Sequence, residues 1–250
     1  MKLYRSLVYR ELRATRKHFW LMFLLFSLTA ALMMTAVFFM FSDPSEVPTP
    51  AESLALCVLM AGIPATLGGV MAGTNNGLQK ADVSSGWKRY SYALPPTAAQ
   101  KATSDLLAKL VYIAVFGLGV AVMTFYCAAI SGSFSTIHVM NVYLAFTSVA
   151  MLCNAVYSSV IMLAKDKNQL KYVGIIGFFS TAVLFRVLGI FGMKPGASSE
   201  DSEMIPEEII FRIVDKVGSG KTSLCVLGMF IAVCVIYYVA MRLMHGRREA

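Results

Sequence analysis

Charged residues are scarce in this sequence. Asp, Glu, Lys and Arg make up 14% of its 250 residues, while 57% of the residues are hydrophobic. Soluble domains usually carry about 25% charged residues and about 45–50% apolar ones, so the composition excludes an ordinary soluble domain. The three histidines are scattered, and the apolar runs contain no carboxylate. Because intramembrane enzymes need such groups within the bilayer, we expect no enzyme activity on this chain.

Cysteine is also sparse, and its placement excludes a disulfide framework. All five cysteines lie in apolar runs without the short paired spacing of a zinc or redox site, so we expect buried thiols and no metal.

Residues 217–223 look like a phosphate-binding loop, but Asp215 stands where that motif requires its first glycine. This segment is therefore expected to form a turn and a capped helix start, with no cofactor on this chain.

Long apolar runs dominate what remains. Six runs are each long enough to cross a hydrocarbon core about 30 Å thick, and lipid permits only helices there because backbone polar groups must be satisfied internally. The sequence therefore predicts an all-α integral membrane fold, forming a single transmembrane domain over residues 1–250. The six predicted spans are Phe19–Phe41, Leu54–Gly73, Leu106–Ile130, Val142–Ala164, Tyr172–Met193 and Thr222–Met244.

The basic residues predict the orientation of these spans. Seventeen of the 22 Lys and Arg residues fall on one side, in the N-terminal segment, the loop 74–105 with Lys109, the segment after Ala164 and the C-terminal end. Four fall on the other side, and Arg186 lies inside the fifth span. The positive-inside rule then places both termini in the cytoplasm and the segment 194–221 outside. The net charge of +8 therefore needs no nucleic-acid partner.

Residues 2–18 are predicted to form an amphipathic elbow helix on the lipid bilayer. Leu7 and Leu12 belong to its apolar side, and the cations occupy the opposite sector. Two interpretations stay open, a topology anchor and an elbow that touches a cytoplasmic partner. The elbow residues of interest are Arg5, Arg10, Glu11 and Arg13, with Glu11 in the apolar sector.

The loop 74–105 is much longer than an ordinary connection between helices. Asp82 or Ser84 can cap a short helix carrying Trp87 and Tyr90, and Pro95 with Pro96 ends it. A second helix is then expected to begin near Thr97 and to enter the membrane. The aromatic residues suit either a groove in another protein or the headgroup region of the bilayer.

A few residues inside the predicted spans are candidates for a transport pathway or for helix packing. Arg186 lies near the outer end of its span, where it can snorkel, form a structural pair or mark a path. Small residues permit close approach of neighbouring helices. The candidates are Arg186, Asn154, Gly69 and Gly73.

Outside the membrane, residues 206–217 are predicted to form an amphipathic helix.

The loop resembles that of the permease subunits of ATP-binding cassette type-2 transporters, and more narrowly the short bacterial permeases that export phenol-soluble modulins or confer lantibiotic immunity. Those permeases carry an acidic residue, Gly-Trp, an aromatic residue and Leu-Pro-hydrophobic-Ser/Thr between spans two and three. The counterparts here are Asp82, Gly86, Trp87, Tyr90 and Leu94-Pro95-Pro96-Thr97. The match departs at Ala98, where a basic residue is common, and at Asp105, where a lysine is common.

The resemblance implies a six-span pore subunit of the bacterial plasma membrane. It implies pairing with a second permease copy or a paralogue over cytoplasmic ATPase subunits, which would hold the ATP and Mg. The helix over 86–94 would be the coupling helix. The implied ATPase-coupling residues are Asp82, Gly86, Trp87, Arg89, Tyr90, Leu94 and Pro95.

Two functions remain open from the sequence. One is export of amphipathic or antimicrobial-type peptides, with a lipid or a hydrophobic drug as other substrates. The other is a membrane scaffold or sensor subunit that binds a cytoplasmic partner without transporting anything. The identity of that partner, an ATPase or another protein, separates the two.

Overall fold

The computed structural model describes residues 2–14, 16–40, 60–68, 96–131, 136–163 and 218–249. Every secondary-structure element in these ranges is an α-helix. The elements are α1 (Lys2–Ala14), α2 (Arg16–Met40), α3 (60–68), α4 (Ala98–Ser131), α5 (Thr136–Leu163) and α6 (Gly220–Glu249).

Three of these helices, α4, α5 and α6, are long and apolar enough to cross a membrane. The apolar part of α2, Phe19–Thr35, is shorter. The prediction of an all-helical chain with long apolar helices is confirmed for the described residues. The predicted span Tyr172–Met193 and most of the span Leu54–Gly73 lie outside them.

The amphipathic helix predicted at the N-terminus is present as α1. Leu7, Val8 and Leu12 are half-buried, whereas Arg5 and Arg13 are exposed. α1 packs more extensively against α4 than against α2. Its apolar side is therefore partly covered by another helix of the same chain, so contact with lipid is not the only reason for its amphipathic pattern.

α4 begins at the position that the sequence predicts, with a reciprocal capping box. The backbone N–H of Thr97 donates to Oε1 of Gln100 at 2.9 Å, and the backbone N–H of Gln100 donates to Oγ1 of Thr97 at 3.4 Å. The helix then continues without a break over 34 residues, which is about 51 Å. α4 is longer than a hydrocarbon core of about 30 Å, so this one helix can cross the bilayer and also extend beyond it.

Two pairs of contacts show that α4 and α6 are antiparallel. Asp105 lies beside His245, and Lys109 lies beside Tyr237, so residue numbers rise along one helix as they fall along the other. We call the end of the bundle that holds Asp105 and His245 the base.

α5 runs in the same direction as α6. Asn141 contacts Ser223, and His138 lies beside Gly218, so both helices begin at the end opposite the base. α5 is also the helix against which α6 packs most extensively. α4 is therefore antiparallel to both, as expected for α4 and α5, which are joined by only four residues, 132–135.

The N-terminal helices α2 and α3 also alternate in direction along the chain. The rings of Phe19 and Tyr112 stack with centroids 5.9 Å apart, and those of Phe26 and Phe116 meet edge to face at 5.6 Å. α2 therefore rises from the base beside α4. α3 descends, because Met60 faces the cleft that Met123 lines while Gly68 lies against Phe116.

Apolar side chains cover much of the outside of the bundle as well as its core. Leu24 and Leu28 on α2 are 65% and 57% exposed, and Leu224 and Ile231 on α6 are 72% and 55% exposed. Exposed apolar area on this scale is not tolerated in water but is expected for helices that face lipid. The described helices are those of a membrane protein.

Candidate functional site

Four side chains at the base of the bundle form a polar contact between α4 and α6. α4 contributes Asp105 and Lys109, which are one turn apart on the same face because their spacing is i, i+4. α6 contributes Tyr237 and His245, two turns apart on one face. We call Asp105, Lys109, Tyr237 and His245 the α4–α6 polar contact.

Lys109 is fully buried within this contact, with 0% of its surface exposed. Its Nζ atom lies 5.0 Å from the centroid of the Tyr237 ring, which is itself 1% exposed. An ammonium group over an aromatic face is attracted by the electrons of the ring, and the attraction is strongest where water is excluded. Burying a charged group without a compensating contact costs free energy. The Lys109–Tyr237 contact therefore favours the arrangement in which these faces of α4 and α6 meet.

The Asp105–His245 pair ties the beginning of α4 to the end of α6. Oδ2 of Asp105 and Nε2 of His245 are 3.2 Å apart, and the two side chains are 15% and 14% exposed. The contact is an ion pair when the imidazole is protonated and a hydrogen bond when Nε2 of the neutral ring carries the proton. Because Asp105 lies near the beginning of α4, this pair connects the beginning of α4 to the last helix.

Further polar contacts hold α5 in place. The hydroxyl of Tyr143 donates to the backbone oxygen of Ile113 at 2.7 Å, and Nδ2 of Asn141 donates to Oγ of Ser223 at 2.9 Å. A Cβ atom at Gly117 would lie 3.2 Å from the Tyr143 ring, so the glycine permits the close approach. α5 is thereby fixed to both of its long neighbours.

Asn154 is the candidate pathway residue that the structure describes best. It is 5% exposed, and its Oδ1 atom accepts a hydrogen bond from Oγ of Ser158 at 3.1 Å. Its Nδ2 atom is buried and has no hydrogen-bond partner among the described residues. Leaving a buried donor unsatisfied costs about 1–3 kcal/mol, so Asn154 retains a free donor inside the bundle at the expense of stability.

The segment that resembles a phosphate-binding loop is a capped helix start, as predicted. Oγ of Ser219 accepts a hydrogen bond from the backbone N–H of Thr222 at 3.3 Å, which uses one of the free donors at the beginning of α6. Gly218 is required because a Cβ atom there would overlap the His138 ring. Among the described residues, no group of three His, Cys, Asp or Glu side chains is placed to hold a metal ion.

All seven predicted coupling residues lie outside the described residues, as do three of the four pathway candidates. On α1, Arg5 and Arg13 are exposed, Arg10 is half-buried, and Glu11 is described by its backbone alone. The residues outside the described ranges are Asp82, Gly86, Trp87, Arg89, Tyr90, Leu94, Pro95, Gly69, Gly73 and Arg186.

The sequence did not reveal the α4–α6 polar contact. Lys109 was counted with the basic residues of the cytoplasmic loop, and His245 was regarded as an isolated histidine. The available signals were the i, i+4 spacing of Asp105 with Lys109 and the spacing of two turns between Tyr237 and His245. Each spacing predicts a shared face, but neither shows which helix that face meets.

Comparison with protein-family models, with curated proteins and with solved structures finds no match to this chain. The fold therefore defines a class, an all-helical membrane protein, and the function has to be inferred from the arrangement of its helices.

Proposed function

We propose that this chain is the transmembrane subunit of an ATP-binding cassette exporter in the bacterial plasma membrane, with ATP hydrolysed on a separate ATPase subunit. The observation that carries the proposal is the continuity of α4. This helix starts with a capping box at Thr97, directly after Leu94-Pro95-Pro96, and runs unbroken to Ser131. A force applied to the loop before Pro96 would act on the end of a rigid rod that crosses the bundle.

The helix directions support six crossings with both termini on one side. α2 and α4 run away from the base, whereas α3, α5 and α6 run towards it. The beginning of α2 and the end of α6 therefore both lie at the base, as expected when both termini are on one side of the membrane. α5 ends towards the base, whereas α6 begins at the opposite end. We therefore propose one further span, in the run Tyr172–Met193, between the end of α5 and the start of α6.

The base contacts provide a route from the loop to the rest of the bundle. In the proposed mechanism, closure of the ATPase subunits on ATP displaces the coupling helix over 86–94 and tilts α4. The Asp105–His245 pair and the Lys109–Tyr237 contact would carry that tilt to α6. α1 would move as well, because it packs against α4.

An apolar cleft supports an amphipathic peptide as the substrate class. The cleft lies between α2, α3 and α4 and is partly open to the exterior. Its lining includes Met33, Met60, Met123 and Phe26. Methionine side chains adapt to apolar groups of varied shape, which suits a transporter that accepts peptides of different sequence.

Identification of the cytoplasmic partner tests the proposal. The tagged chain would be purified gently from its native membrane, and stoichiometric partners would be identified by mass spectrometry. We expect an ATPase with complete nucleotide-binding motifs, lost from the Trp87→Ala variant. The matched control is Trp20→Ala, because Trp20 is 56% exposed on the apolar surface of α2. Recovery of a stoichiometric partner without ATPase motifs would replace the exporter with the scaffold or sensor function.

A further inference from the structure

A row of exposed side chains runs along α2 in steps of four residues. Arg16 stands first, Trp20 follows at 56% exposed, and the row continues with Leu24, Leu28 and Leu32 at 65%, 57% and 64% exposed. Residues four apart are neighbours on a helix surface, so these five side chains form one continuous ridge. The ridge passes from a cation through an indole ring to purely aliphatic side chains.

This order matches the layers of one leaflet of a bilayer. Cations meet the phosphate layer, tryptophan prefers the boundary between headgroups and hydrocarbon, and leucine meets the acyl chains. Arg16 and Leu28 are separated by twelve residues, which is about 18 Å along the helix. One leaflet consists of half of the hydrocarbon core, which is about 30 Å thick in total, and one headgroup boundary layer, and its thickness is close to this distance. The part of the ridge from Arg16 to Leu28 therefore has the length of one phospholipid.

Further cations surround the charged end of the ridge. Arg13 at the end of α1 and Lys17 beside Arg16 are both exposed. Within the part of the chain that the structure describes, no carboxylate lies within ion-pair distance of Arg13, Arg16 or Lys17. Tyr9, at 62% exposed, lies between Arg5 and Arg13 on the same side of α1. Because the side chains of Arg13, Arg16 and Lys17 are exposed, an external anion can reach this corner.

We propose that the corner between α1 and α2 binds an anionic phospholipid, with its phosphate at Arg13, Arg16 and Lys17 and an acyl chain along Leu24 and Leu28. A lipid fits better than an acidic protein because the aliphatic part of the ridge continues directly from the cations, and that part requires an apolar surface. The negative surface of a cytoplasmic leaflet attracts clustered cations in the same way. This inference rests on membrane placement and not on transport.

Trp20 provides a built-in reporter for the test. The chain has two tryptophans, so a Trp87→Phe background leaves Trp20 as the only indole. The full chain would be reconstituted in bilayers of phosphatidylcholine with a minor fraction of phosphatidylglycerol, and one lipid at a time would carry bromine atoms that quench indole fluorescence. The quenching by each lipid gives its local fraction around Trp20.

We expect phosphatidylglycerol to be enriched at least about threefold near Trp20 over its bulk fraction, and the enrichment to fall in high salt. The variant Arg13→Gln/Arg16→Gln/Lys17→Gln should lose it, and Arg13→Lys/Arg16→Lys should keep it because the charge is retained. Lys221→Gln is the matched control, since Lys221 is an exposed cation at the opposite end of the bundle.

Quenching by each brominated lipid in proportion to its bulk fraction, in the unaltered corner, would overturn the proposal and leave the cations to an acidic protein partner. Full enrichment in the Gln triple variant would overturn it too, as would an equal loss in Lys221→Gln, which would reduce the effect to net charge. Elution of each variant as a single species in size-exclusion chromatography confirms that it is folded before the lipids are compared.

Discussion

The Nζ atom of Lys109 lies 5.0 Å from the centroid of the Tyr237 ring, and neither side chain is more than 1% exposed. This contact joins α4 to α6 near the base of the bundle. Lys109 is therefore a buried cation, although in the sequence it stands at the edge of an apolar run. The first prediction concerns its strength.

A double-mutant cycle on Lys109→Met and Tyr237→Leu is expected to give a coupling free energy of about 0.5–2 kcal/mol, because the cation and the ring interact away from water. The measurement is thermal unfolding of the purified chain in detergent, with all four members of the cycle. Additivity of the two single changes within about 0.3 kcal/mol would show that the proximity of the two groups has no energetic consequence.

The Asp105–His245 pair is expected to tolerate exchange of its two members. Asp105→Leu and His245→Leu should each lower the unfolding temperature, because each leaves a half-buried polar partner without its contact. The exchanged variant Asp105→His/His245→Asp should recover most of the loss, since the same two groups meet again. If the exchanged variant is as unstable as the sum of the single variants, the pair has no specific role at the base.

Gly119 and Gly228 form a matched pair for testing helix packing. A Cβ atom at Gly119 would lie 2.6 Å from the Phe26 ring, whereas one at Gly228 would meet nothing within 4 Å. Gly119→Ala is expected to destabilise the bundle by about 1–3 kcal/mol through overpacking. Gly228→Ala should be neutral or stabilising by up to about 1 kcal/mol, because alanine favours the helix.

Thermal unfolding of both glycine variants checks the packing of α2 against α4. Phe26→Leu should restore part of the stability of Gly119→Ala, because the shorter side chain leaves room for the added methyl group. Equal stability of Gly119→Ala and Gly228→Ala would contradict the close approach of the two helices.

Asn154 distinguishes a pathway from packing. Among the described residues its buried Nδ2 atom has no hydrogen-bond partner, so in Asn154→Leu the removal of this unsatisfied donor should largely offset the lost hydrogen bond from Ser158 and leave stability within about 1 kcal/mol. We expect the same variant to reduce transport several-fold, because the free donor is available to the carbonyl groups of a peptide. Ser148→Ala is the control, since the Ser148 hydroxyl already donates to the Leu144 backbone oxygen within its own helix. Unchanged transport in Asn154→Leu would assign the residue to packing.

The sequence predicted the described parts of the fold that depend on local pattern. The start of α4 followed from Pro95-Pro96-Thr97, and the cap of α6 followed from Ser219, because proline and short hydroxyl side chains act on their own neighbourhood. The amphipathic pattern of α1 was also readable. Each of these features involves residues within four positions of one another.

The contacts between helices were not predictable in the same way. Lys109 appears in the sequence as one more basic residue near a membrane boundary, and His245 lies 140 positions from Asp105. In an apolar helix most faces look alike, so periodicity does not indicate which face meets which neighbour. The coupling residues from Asp82 to Pro95 stay a prediction, since they lie outside the described residues.

ATP-dependent transport by the reconstituted complex tests the central claim most directly. The chain and its copurified ATPase would be placed in inside-out vesicles with a labelled amphipathic peptide, and uptake would be measured with ATP and with a non-hydrolysable analogue. The account predicts uptake only with hydrolysable ATP, and its loss in Trp87→Ala. A complex that hydrolyses ATP but moves no peptide, lipid or hydrophobic drug across the bilayer would contradict it.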